Sequence, residues 1–276
     1  MTSSLQPRAR TPAAIVVFFA LAFAWSWIIG YATVQAKWAF PSLSVVLAMT
    51  AGFGPSLAAL VVVLTFSGSN GLYDWLAHCL NWRVGWSWFA FAFLIPPVIM
   101  LITLALHIML GGDVPAPMAA KHIPLAIANF ALVFLVGGPL GEEFGWRGYA
   151  MSALTAKVNW RVASFIIGIT WGLWHLPLFF IVGTAQSSMP IPLFILNIVA
   201  GSILFGWLFE RTQGSVLPAL VLHTSLNSWA GILMIIPAAE TGRPYAVVTG
   251  LLLVIAFVLL LAPNQKYSIN SKNISQ

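Results

Sequence analysis

Long apolar runs with almost no charge are the feature that most constrains this chain. Eight such runs follow one another, and each is long enough to cross a bilayer as a helix, which takes roughly 17–25 residues. Since 60% of the residues are hydrophobic and only 7% are charged, a soluble globular domain is excluded. We therefore predict an all-α, polytopic membrane protein of about eight transmembrane helices. The predicted spans are residues 12–34, 43–66, 86–110, 123 to the glutamates at 142–143, 160–182, 191–209, 216–236 and 245–261.

The chain divides into three parts. Residues 1–11 form a basic lead, residues 12–262 hold the spans, and residues 263–276 form a polar tail predicted to be disordered. The sequence Gly52-Phe53-Gly54-Pro55 predicts a kink inside the second span, and residues 67–85 suggest a short amphipathic surface helix. With the N-terminus inside, nine of the twelve cations lie on cytoplasmic segments. This bias predicts a multi-pass protein of the plasma (inner) membrane with both termini cytoplasmic.

Two observations limit the kinds of partner that the protein is expected to bind. The positive charges are spread over short connections and form no basic cluster, so the net charge of +6 does not indicate a nucleic-acid partner. The lone Cys79 excludes a disulfide framework and a Cys-rich metal site. The lipid bilayer is the one partner that composition alone implies.

Two adjacent glutamates, Glu142 and Glu143, stand directly after an apolar run, although the whole chain has six carboxylates. Ionisable groups at membrane depth are costly and usually functional. On a helix Glu143 and Arg147 are four residues apart and can pair, whereas Glu142 is rotated by about 100° and faces elsewhere. The alternative interpretation is an interfacial cluster that ends a transmembrane helix, with Arg147 reaching the headgroups.

Two further polar clusters lie within predicted spans. His175 stands in an apolar run two residues before Pro177, which is expected to distort the helix. His223 and Asn227 are four residues apart and project from one helix face. Each cluster alone has an ordinary explanation, a buried hydrogen-bonded histidine or hydrogen bonding between helices. Together with the glutamates they supply a base for water, a proton donor and an oxyanion donor, or else a set of metal ligands.

The three motifs, taken in order, resemble those of the CAAX-protease and bacteriocin-processing family of intramembrane endopeptidases. This family includes type 2 CAAX prenyl proteases and bacterial members once called abortive-infection proteins. The resemblance extends over residues 53–227, and one departure is Trp171, where the family's second motif usually opens with Phe. The matching positions are Glu142-Glu143-x-x-x-Arg147, Trp171-x-x-x-His175 and His223-x-x-x-Asn227.

The resemblance implies a role for each of these residues. Glu142 with His175 would activate the attacking water, and His223 with Asn227 would stabilise the oxyanion. Glu143 and Arg147 would orient these groups. The resulting hypothesis is an intramembrane endopeptidase that cleaves a membrane-associated peptide or protein in a cavity among spans four, five and seven, within a core of about residues 123–236.

Zinc is the one cofactor that the residue inventory permits, with Glu142, His175 and His223 as candidate ligands and a fourth position for water. No His-Glu-x-x-His helix is present to hold two imidazoles on one face, and an amide such as Asn227 is a poor zinc ligand. We therefore expect a metal-independent mechanism, with the zinc enzyme as the alternative.

Two other classes of function remain open at this stage. A transporter or channel would use the polar residues to line a path across the bilayer, and a non-catalytic immunity or scaffold protein would use them for binding. The predicted depths also disagree, because Glu142 falls towards the cytoplasmic end of span four whereas His175 falls nearer the middle of span five.

Overall fold

The computed structural model describes residues 5–113, 123–233 and 242–263. Within these ranges all regular structure is helical. A short 3₁₀ turn, Pro7–Arg10, precedes the first helix. The helices are α1 (Pro12–Ala36), α2 (Pro41–Ala51), α3 (Gly54–Cys79), α4 (Trp86–Met109), α5 (Ile123–Val136), α6 (Pro139–Glu143), a π-helical segment (Phe144–Met151), α7 (Ser152–Thr155), α8 (Trp160–Trp174), α9 (Ile191–Arg211), α10 (Leu217–Ile232) and α11 (Arg243–Leu261).

The predicted fold class is confirmed: the chain is an all-helical, polytopic membrane protein. Among the described residues, seven helical segments are long and apolar enough to cross a bilayer. The predicted seventh span, residues 216–236, corresponds to α10, which has 16 residues and is shorter than these seven; residues 234–236 of that prediction lie outside the described ranges. The side of the membrane on which each terminus lies stays a prediction, and residues 264–276 of the predicted tail lie outside the described ranges.

The kink predicted in the second span is a break between α2 and α3. α2 returns along α1, since Trp25 donates to the carbonyl of Thr50 at 2.9 Å and Ser26 to that of Ala51 at 2.7 Å. α3 then starts at Gly54 and bends at Gly68, whose φ is 68°. The part of α3 beyond this bend is the short helix predicted for residues 67–85.

Glycines let the break pack directly against the glutamate segment. A methyl group at Gly141 would lie 2.5 Å from the carbonyl oxygen of Gly52, and one at Gly145 would lie 2.4 Å from the carbonyl carbon of Pro55. Any larger residue at either position would therefore collide with backbone. The segment from Gly52 to Pro55 therefore packs directly against α6 and the start of the π-helical segment.

The predicted end of span four at the glutamates is wrong. After a break at Gly137 and Gly138, the helical path continues through α6, the π-helical segment and α7, and residues Ala126–Thr155 qualify as one membrane-crossing segment. Glu142 therefore lies near the middle of this segment rather than at its end. Glu142 and His175 line one cavity, so the difference in depth predicted from their positions in the spans does not keep them apart.

Candidate active site

One cavity of about 480 Å³ is lined by side chains from all three motifs. It has the size of a small-molecule or peptide side-chain site. Besides the predicted spans four, five and seven, α1, α2, α4, α9 and α11 contribute to its wall, so more helices enclose the cavity than predicted. The motif residues that line it are Glu142, Trp171, His175, His223 and Asn227.

Glu143 and Arg147 lie behind the cavity wall, and Glu143 connects two helices. Its Oε1 atom accepts from Arg147 Nη1 at 3.0 Å and lies 2.7 Å from His223 Nδ1. Glu143 is 0% exposed and Arg147 is 1% exposed, so the charges are paired in a buried environment. Since the carboxylate holds Nδ1, His223 presents Nε2 to the cavity.

Glu142 is turned away from this pair and faces the cavity, as its position on the helix predicted. Its Oε2 atom accepts a hydrogen bond of 2.5 Å from the indole N–H of Trp171. A methyl group at Gly138 would lie 2.6 Å from Glu142 Oε1 and 3.6 Å from His223 Nε2. Glu142 Oε1 and His223 Nε2 therefore both lie close to Gly138.

His175 owes its orientation to the end of α8. Its backbone N–H bonds to the carbonyl of Gly172, so the carbonyl of Trp171 loses its usual helical partner. The side chain replaces it, with Nδ1 lying 2.8 Å from the Trp171 carbonyl oxygen. A carbonyl only accepts, so Nδ1 carries a proton, and in the neutral ring Nε2 is left as the acceptor. The distortion predicted at Pro177 is thus a helix end at Trp174, followed by the 3₁₀ segment Leu176–Phe180.

Asn227 extends from α10 towards the break before α6. Its Nδ2 atom donates to the carbonyl of Gly137 at 3.3 Å. This contact is the hydrogen bond between helices that the ordinary explanation predicted. The amide nitrogen carries two hydrogens, so this bond leaves one for a ligand in the cavity.

Zinc is the cofactor for which the sequence supplies candidate ligands. Among the described residues, no group of three or more His, Cys, Asp or Glu side chains is placed to hold a metal ion. The bonds of His223 Nδ1 to Glu143, of His175 Nδ1 to Trp171 and of Glu142 Oε2 to Trp171 leave the other polar atom of each side chain free. The metal-independent mechanism stays a prediction, and the chemistry proposed below takes no step through a metal.

Three contributions to the site are missing from the sequence prediction. Gly138 provides the positive φ of 114° and the open space beside Glu142. The indole N–H of Trp171 holds a carboxylate, whereas the sequence showed only that Trp replaces the Phe with which the family's second motif usually opens. Asn197 of α9 also lines the cavity, held by a 3.0 Å bond from its Nδ2 to Thr249 Oγ1. A lone Asn in an apolar run and a glycine near a helix start carry no pattern that marks them beforehand.

Comparison with known proteins points to the class that this site suggests. Residues 124–229 match the family model described as type II CAAX prenyl endopeptidase Rce1-like. This range runs from α5 to α10 and contains all three motifs. The resemblance deduced from the motifs is confirmed by this match.

A curated protein shows a similar relationship. The chain is 28% identical over 176 residues to CAAX prenyl protease 2 of Methanococcus maripaludis. The aligned part covers 61% of this chain and 63% of that protein. The chain thus matches less than two thirds of the relative's length.

Proposed function

We propose that the protein is an intramembrane endopeptidase that hydrolyses a peptide bond in a membrane-associated substrate. One observation carries the proposal: Glu142, His175, His223 and Asn227, which come from three separate helical segments, line a single cavity. Polar side chains within a bilayer are costly, and a hydrolytic site accounts for having these four side chains together. The family match over residues 124–229 supports the same class.

In the proposed mechanism Glu142 Oε1 takes a proton from a water molecule, and the oxygen of that water attacks the scissile carbonyl carbon. His175 assists through Nε2, the nitrogen left as an acceptor by its bond to Trp171. The proton then passes to the leaving amine as the C–N bond breaks. The tetrahedral intermediate needs donors for its oxyanion, and these are the free amide hydrogen of Asn227 and Nε2–H of His223 in its doubly protonated form.

Glu143 and Arg147 act by holding His223. A carboxylate at Nδ1 fixes the ring and stabilises positive charge on it, which is the role of the orienting carboxylate in other hydrolytic triads. The guanidinium of Arg147 in turn lies over the rings of Trp171, 4.5 Å from its centroid, and Phe205, 4.1 Å from its centroid. These contacts keep the carboxylate and the imidazole in one arrangement.

The substrate class follows from the wall of the cavity and from the relative's name. Much of the cavity wall is apolar, and the Methanococcus protein is named a CAAX prenyl protease. The cleavage assay should therefore test two substrates: a peptide with a prenylated C-terminal segment and a peptide from a membrane-protein leader.

The test is a cleavage assay on protein purified in detergent and returned to lipid vesicles. Glu142→Gln keeps the shape but removes the base, so we expect cleavage to fall at least about 100-fold while the melting temperature is unchanged. Asp74→Asn removes an exposed carboxylate outside the cavity and is the matched control, expected to cleave like the wild type. A Glu142→Gln protein with full activity would exclude the proposed mechanism.

A further inference from the structure

The indole of Trp171 makes a contact that a simple aromatic wall would not make. Its Nε1–H donates to Glu142 Oε2 at 2.5 Å, and both residues are buried, at 4% and 5% exposure. An indole nitrogen can only donate a hydrogen bond, so it can hold the Glu142 carboxylate but cannot accept a proton from it. The oxygen that accepts this bond belongs to the carboxylate that the proposed mechanism uses as the base, so the bond acts directly on the reacting group.

The donor is itself held in place. The Trp171 ring packs edge-to-face on Phe205 and His223, with centroids 5.8 Å and 5.5 Å apart, and the Arg147 guanidinium lies over it. The backbone carbonyl of the same residue holds His175 Nδ1. One residue thus contacts both groups to which the proposed mechanism gives the activation of water.

We propose that Trp171 is a positioning residue, whose N–H fixes Oε2 of Glu142 so that Oε1 alone is presented to the attacking water. This inference rests on the proposed function. The position of Oε1 beside Gly138 and His223 Nε2 is the one in which a proton can be taken next to the oxyanion donors. Without the N–H the carboxylate can rotate, and fewer molecules hold the productive orientation.

Trp171→Phe is the informative variant, because phenylalanine keeps an aromatic ring for Arg147 and Phe205 but has no donor. We expect kcat to fall by about 10- to 100-fold, the range for loss of one hydrogen bond to a charged group, with KM changed less than about twofold. Measuring kcat and KM separately is informative, because a collapse of the cavity wall would raise KM.

The chain offers a matched control in Trp207 of α9, which does not line the cavity. Its ring packs against Trp88 and Phe91, and within the described part of the chain its Nε1 has no hydrogen-bond partner. Trp207→Phe removes the same atoms without removing a bond, so we expect it to keep at least about half of the wild-type kcat. Melting temperatures of the two variants should agree, which separates positioning from folding.

A second measurement tests the bond without relying on activity. In protein labelled with ¹⁵N-tryptophan, the Trp171 indole resonance is identified by its loss in Trp171→Phe, and we expect Glu142→Gln to move it upfield more than any of the other twelve indole signals. An unmoved resonance, or equal loss of kcat in Trp171→Phe and Trp207→Phe, would overturn the positioning role while leaving the proposed function intact. A wild-type protein that cleaves neither substrate would overturn the proposed function and the catalytic role of Trp171 with it, and the resonance shift would still decide whether the bond exists.

Discussion

His223 Nδ1 lies 2.7 Å from Glu143 Oε1 although the two residues are 80 positions apart in the chain. The same oxygen accepts from Arg147, so one buried carboxylate atom joins α6, the π-helical segment and α10. This arrangement separates the two adjacent glutamates by role, since Glu143 holds a histidine and Glu142 faces the cavity.

Glu143→Asp is expected to affect His223 more than Arg147. The shorter side chain withdraws its oxygen from both residues, but it keeps the buried negative charge, and the long Arg147 side chain can follow it whereas the short His223 side chain cannot. Because the bond to a charged group is lost, kcat should fall by about 10- to 100-fold while the melting temperature changes little. Steady-state kinetics and thermal unfolding in detergent measure the two effects. An unchanged kcat would mean that His223 needs no support from Glu143.

Arg147→Ala should act on stability instead. It leaves Glu143 as a buried charge without its guanidinium partner, which typically costs about 3–5 kcal/mol. We expect a sharp loss of folded protein in the membrane and a lowered melting temperature. Arg83→Ala is the control, because Arg83 is exposed and lies over the Trp82 ring. If both variants accumulated and melted alike, the buried ion pair would not be needed for folding.

Gly138→Ala tests the open space beside the glutamate. Its φ of 114° is strained for alanine, and the added methyl group would lie 2.6 Å from Glu142 Oε1. Displacing this oxygen should reduce kcat at least about 100-fold, since misplacement of about 1 Å costs that much. Gly231→Ala, in α10 with nothing within 4 Å of its added methyl, should keep full activity. Equal activity of the two variants would contradict the assigned position of Oε1.

The helical nature of the chain and the Glu143–Arg147 pair follow from the sequence because both depend on local spacing. The end of span four does not, since a stretch with two glutamates and an arginine looks interfacial. It stays within the bundle because the pair neutralises itself and aromatic rings cover Arg147. The contacts of His223 with Glu143 and of Trp171 with Glu142 join segments that are distant in the sequence, so no local sequence pattern predicts them.

The last prediction concerns metal. Glu142, His175 and His223 are the candidate ligands, and in the proposed mechanism the same residues act directly on water and on the oxyanion, so we expect cleavage to persist when divalent metal is removed. Wild-type protein in detergent is incubated with 1,10-phenanthroline, desalted, assayed against the same peptides and measured by elemental analysis. Activity should stay within about twofold of the untreated sample, because the proposed base is a carboxylate that acts directly on water. The inactive analogue 1,7-phenanthroline controls for effects on the detergent micelle. Near-stoichiometric zinc in the untreated sample, together with activity that is lost on chelation and restored by zinc alone, would contradict the metal-independent mechanism and make these three residues ligands.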